Sequence, residues 1–134
     1  MLYPMFAMVI VTFVVAIHLF RLRVKAVKAG EVRLSQFRLN TGETPDVMAQ
    51  AARNYANLFE VPMLFYTAGA IAIALGIQVP AMIITAWIFV LARILHSWIH
   101  LTSNNVIHRM RAYMLGSICV LVIWGILVAS YATR

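Results

Sequence analysis

Residues 58–101 read LFEVPMLFYTAGAIAIALGIQVPAMIITAWIFVLARILHSWIHL, and over that whole stretch only Glu60 and Arg93 carry a formal charge. A helix crossing the hydrocarbon core of a bilayer needs about 20 mostly apolar residues. The stretch supplies two such runs, about 58–77 and 80–101, parted by Gln78-Val79-Pro80. So short a turn makes the two spans antiparallel neighbours. Upstream, Thr44-Pro45-Asp46 looks like a helix start, with proline set into the first turn ahead of a run of helix formers. That helix is expected to begin outside the apolar core and run on into the second span. Downstream, Thr102 to Asn105 form a polar turn, and a further span covers about 109–131. At the other end of the chain, residues 2–20 are apolar apart from Thr12 and His18. At 1.5 Å per residue they reach about 28 Å. The sequence thus predicts one all-α domain over 1–134, a bundle of four transmembrane helices with a long polar connection at about 21–45.

Composition agrees. The chain is 63% hydrophobic and 11% charged, whereas a soluble domain averages about 25% charged residues. Lipid is therefore the expected solvent. The formal charge of +7 is no argument for nucleic acid, because the basic residues flank apolar spans, where they set orientation. Arg21, Arg23, Lys25, Lys28, Arg33, Arg38 and Arg53 precede the second span, and Arg109 and Arg111 open the fourth. Both groups fall on one side of a four-span bundle. The other side has the uncharged 78–80 turn, the N-terminus and Arg134. The positive-inside rule then puts both termini outside the cytoplasm. The first span has no basic residues before it and no small-residue cleavage pattern after it, so it reads as an uncleaved span. The single cysteine, Cys119, lies in an apolar run and reads as a buried, inert thiol. Ala68, Ala72 and Gly76, with Ala70 and Ala74 beside them, make a small-residue stripe in span two. Such a stripe suits tight helix packing or an oligomer seam.

An ionisable group inside a span costs about 2.5–3.5 kcal/mol on insertion scales. The sequence accepts that cost at Glu60 and Arg93, which would meet at similar depth if spans two and three pack side by side. A structural ion pair is the simplest reading. Helical spacing adds further polar groups. Arg53, Asn57 and Glu60 fall at i, i+4 and i+7; Arg93, His96 and His100 at i, i+3 and i+7; Arg109 and Tyr113 one turn apart. Three helices thus aim polar groups at one depth, and arginine dominates. Arginine forks match carboxylates, and a cationic pocket favours a bound thiolate. His96 and His100 lack a carboxylate on their helix, so no metal is expected there. Trp87, Trp98 and Trp124 read as interface or packing residues.

The order Arg53-x-x-x-Asn57-x-x-Glu60, Pro62, Arg93-x-x-His96, Arg109-x-x-x-Tyr113 resembles the MAPEG family, the membrane-associated proteins of eicosanoid and glutathione metabolism. The run Asn57-Leu58-Phe59-Glu60-Val61-Pro62 is most similar to its short bacterial members. The resemblance implies a homotrimer in a bacterial inner membrane, with glutathione bound between subunits. Arg53, Asn57 and Glu60 would hold the glutathione backbone, with Arg93, His96 and His100 facing the same cleft. Arg109 would stabilise the thiolate and Tyr113 support it. His100 stands where many members carry tyrosine, and Val61 replaces a tyrosine found in some. Alignment leaves His108 competing with Arg109. Two functions follow: a glutathione-dependent transferase or peroxidase acting on lipophilic electrophiles, or a non-catalytic scaffold subunit of a larger membrane complex.

Overall fold

The computed structural model describes residues 1–38 and 42–133, and every regular element among them is helical. In order these are α1 (Leu2–Lys28), a short 3-10 turn (Leu34–Arg38), α2 (Asp46–Asn57), α3 (Val61–Ala74), α4 (Pro80–Leu101) and α5 (Val106–Ala132). Among the described residues, four stretches are long and apolar enough to cross a membrane: α1, α2 with α3, α4, and α5. The protein is an integral multi-pass membrane protein. Helices suit this solvent because their backbone hydrogen bonds close within the segment, where lipid offers none. Arg134, expected on the less basic side, lies outside the described residues.

Each helix stops for a local reason. α1 runs eight residues past its apolar span, because nothing breaks it before Gly30. There the Gly30 N–H donates to the Val27 carbonyl (3.1 Å) and the Glu31 N–H to that of Ala26 (3.0 Å). This closure needs the left-handed φ of +74° at Gly30. α3 ends the same way: Gly76 has φ +67°, and Ile77 donates to the Ala72 carbonyl at 2.8 Å. Gly76 is therefore a helix stop, not a member of the small-residue stripe. Of that stripe, Ala68 and Ala72 are fully buried, while Ala70 and Ala74 face outward. α5 begins at Asn105, whose Oδ1 accepts from the Ile107 and His108 N–H groups, both at 3.1 Å.

The expected continuous helix from Asp46 into span two is broken. α2 ends at Asn57, Leu58 and Phe59 turn, and α3 starts afresh at Val61. Pro62 sits in its first turn and has no N–H to bond back to the Leu58 carbonyl, so the α2 ladder cannot continue through it. Pro45 likewise lies one place earlier than expected, at the N-cap of α2.

The most extensive helix packing is between α4 and α5. Small residues (Ala86, Ala92, Ala112, Gly116) on the buried faces let them approach. α3 packs mainly on α5 and α1 despite its short link to α4. It meets α4 through the Phe65 and Phe89 rings, 4.4 Å apart. Met8, Phe65, Met82, Phe89 and Ile123 form the main core. A second cluster of Leu19, Ala26, Val32, Met48 and Ala51 holds the α1 extension against α2. The Met1 amino group reaches Gln78 Oε1 at 3.5 Å, so the N-terminus and the α3–α4 turn share one end. Cys119 is buried and free. Trp87 and Trp98 are exposed, whereas Trp124 Nε1 donates to the Leu64 carbonyl at 3.2 Å.

Asn105→Ala removes the acceptor for two orphan amides at the start of α5. It should cost about 1 kcal/mol of stability, read as a lower melting point by circular dichroism in detergent.

Candidate functional site

Arg93 is the largest side chain sealed inside the fold, with no exposed surface. It sits on the inner face of α4, four residues after Phe89, and its guanidinium points into the space between α2 and α5. Nη2 donates to the Asn57 carbonyl at 2.9 Å. That carbonyl is available because α2 ends at Asn57, leaving its last acceptors without helical partners. The guanidinium carbon also lies 5.7 Å from the Tyr113 ring centre, a distance at which the ring face attracts a cation. Nε and Nη1 have no partner among the described residues.

The two histidines follow on the same face, both buried, their rings 5.7 Å apart. His96 Nδ1 is 3.0 Å from the Arg109 carbonyl. A carbonyl only accepts, so Nδ1 carries the proton and Nε2 is left as an unpartnered acceptor in the neutral ring. His100 shows the opposite tautomer. Its Nε2 faces Arg109 Nη1 at 3.4 Å, and a guanidinium only donates, so Nδ1 holds the proton and is an unpartnered donor. The His100 backbone carbonyl accepts from Gln50 Nε2, tying α4 to α2. Arg109, half-buried, also donates to Asn104 Oδ1 at 2.7 Å. Tyr113 stands one turn along α5, its ring 5.9 Å from that of His96.

The eight expected residues do not all converge. Arg93, His96, His100, Arg109 and Tyr113 touch one another in sequence, and Asn57 joins them through its backbone. Arg53 is exposed on α2, and Glu60 is exposed at the N-cap of α3. The break at 58–60 removes Glu60 from the helical face that carries Arg53 and Asn57. No hydrogen bond closes between Glu60 and Arg93, so the expected ion pair does not form; Glu60 lies only within electrostatic reach of Arg93, as Arg53 does of His100. His108 is exposed, so Arg109 is the residue that enters the site. Among the described residues no three His, Cys, Asp or Glu side chains gather closely enough to hold a metal ion.

Two members escaped the sequence reading. Asn54 is fully buried, and its Oδ1 accepts from Ser97 Oγ at 3.2 Å, leaving Nδ2 unpartnered. The signal was present in the spacing: Ser97 is one turn beyond Arg93, and Asn54 is one turn before Asn57. Small neutral polar groups in an apolar helix are simply less conspicuous than charges.

Among the described residues, four buried side chains on α2 and α4 therefore keep unpartnered polar atoms: donors on Asn54, Arg93 and His100, and an acceptor on His96. Each such orphan costs about 1–3 kcal/mol, more when charged. An arrangement this expensive suits a polar, anionic guest.

No curated protein and no solved structure matches the chain. A family model, that of the MAPEG family, matches residues 1–129. With nearly the whole chain covered, the protein belongs to the MAPEG family.

Proposed function

We propose that the protein is a membrane-embedded glutathione-dependent transferase or peroxidase acting on lipophilic electrophiles. The observation that carries this reading is the set of buried donors, on Asn54, Arg93 and His100, that have no partner among the described residues. Guanidinium and amide donors suit carboxylates, and the lone acceptor on His96 suits an ammonium or thiol proton. Glutathione offers all three groups, so the residues present fit it.

In this reading Arg53, Asn57 and Glu60 form the outer rim that takes the peptide backbone, with Arg93, His96 and His100 reaching it from inside. When bound, glutathione supplies the nucleophilic or reducing sulfur. Arg109 holds the sulfur as thiolate, since a neighbouring cation favours the charged form. His100, standing in for the family's more common tyrosine, supports Arg109 through Nε2. Tyr113 backs the Arg93 guanidinium. A homotrimer would place the exposed rim residues against a neighbouring subunit, and the electrophile would enter from lipid. The basic end faces the cytoplasm of a bacterial cell, with both termini outside. The scaffold reading calls for a structural Glu60–Arg93 ion pair, which the fold does not provide.

Calorimetry of the detergent-purified protein should find saturable glutathione binding at or below millimolar concentration, lost in Glu60→Ala. Absence of binding in the parent chain would favour the scaffold. Arg109→Gln should leave the protein folded and lower the rate of conjugation to a lipophilic electrophile by about a hundredfold, the scale of losing one preorganised charge-stabilising donor. Arg93→Met separates function from stability. It removes a buried charge that has two orphan nitrogens but leaves the Asn57 carbonyl without its donor. The two effects oppose, so the melting point should change little, while glutathione binding disappears.

A further inference from the structure

Beyond its apolar run α1 continues as helix through residues 21–28, about 12 Å of axis. A headgroup layer is about 5–8 Å thick on each side of the core, so this extension crosses it. Phe20, Val24 and Lys28, at four-residue spacing, form a ridge along the extension. A cavity of about 470 Å³ lies on one side of the ridge, between α1 and the 3-10 turn, walled by Val24, Val27, Leu34 and Phe37 with Arg23 and Lys28 at its rim. A second cavity, of about 320 Å³, lies on the other side, bounded by Arg21 and Lys25. Phe20, Val24 and Lys28 line both.

Two features of this groove are out of place for a surface facing only water. Phe20 is 66% exposed and Leu34 73% exposed, so large apolar side chains stand bare at the level where headgroups begin. The polar groups around them are almost all of one sign: residues 21–38 hold Arg21, Arg23, Lys25, Lys28, Arg33 and Arg38 against the single carboxylate of Glu31. Arg23 is held in place, its guanidinium carbon 5.6 Å from the Phe37 ring centre. Lys25 and Lys28 also lie in the last turn of α1, where cations offset the helix dipole. That role explains the lysines but not the apolar walls beside them.

We propose that this groove binds an anionic phospholipid. The larger lobe, walled by Val24, Val27, Leu34 and Phe37, takes the upper part of an acyl chain, and Arg23 and Lys28 take the phosphate. Arg21 and Lys25 of the smaller lobe add positive charge beside it. A soluble phosphate has nothing to fill the larger lobe, and a zwitterionic lipid lacks the net charge that the rim selects. The site shares no residue with the polar cluster around Arg93 and is independent of the glutathione reading. Its consequence is a protein pinned in depth by lipid at its basic end.

The test is native mass spectrometry of the delipidated full chain in detergent, titrated separately with phosphatidylglycerol, phosphatidylcholine and glycerol phosphate. Each cation near an anionic lipid is worth about a fivefold change in affinity. Phosphatidylglycerol should bind at least about tenfold more tightly than phosphatidylcholine, with glycerol phosphate not retained. Lys28→Gln should weaken phosphatidylglycerol about fivefold, and Arg23→Gln with Lys28→Gln should erase the preference. Leu34→Ser should weaken both lipids. Arg111→Gln, an exposed cation at the start of α5, should change nothing. Equal affinity for the two lipids would overturn the proposal, as would retention of glycerol phosphate. So would an Arg111→Gln loss as large as that of Lys28→Gln, which would mean a diffuse basic surface. Lys28 is exposed, so its single variant keeps the test decisive if the double variant does not fold.

Discussion

Lipid forms no hydrogen bonds, and the burial of Arg93 turns on that fact. A guanidinium on the outside of α4 would face hydrocarbon, so the helix must present it inward. Once it is inward, its neighbours must supply acceptors. One comes from the end of α2, where the Asn57 carbonyl has no helical donor of its own. The Tyr113 ring supplies a second, weaker attraction from α5. The arginine thus joins three helices at one depth. His96 and His100 extend the same contact line toward Arg109.

The break between α2 and α3 is what makes this possible. The chain turns at Leu58 and Phe59 before α3 restarts with a proline in its first turn, which leaves the Asn57 carbonyl without its helical donor and carries Glu60 out to an exposed cap. A continuous helix would have kept Glu60 on the same face as Asn57. The separation instead leaves the interior cationic and short of acceptors. Scaffold and chemistry meet here. The same few residues that stop a helix also leave part of a buried guanidinium without acceptors.

The two ends of the bundle differ in kind. At the less basic end, a short turn and the N-terminus lie together over an apolar core. At the basic end, α1 outruns its membrane span and folds a small second cluster against α2. That cluster holds the α1 extension and the 3-10 turn in a fixed relation, which gives the basic residues a defined surface and not a loose tail.

The sequence alone determined the four spans, their approximate ends, the polar turns and the side on which the basic residues gather, because hydropathy and helix-stop chemistry are local. It also placed Arg93, His96, His100, Arg109 and Tyr113 at one level, because a helical period converts spacing into a shared face. It did not reveal that Glu60 leaves that face, since a proline two residues later can be read as a first-turn residue of a new helix or a kink in a continuing one. Nor did it reveal Asn54 and Ser97, whose partnership joins positions on different helices. The histidine tautomers and the orphan nitrogens of Arg93 were likewise decided only by the tertiary structure. Whether a polar atom is satisfied depends on what the neighbouring helix brings to it, and no single helix carries that information.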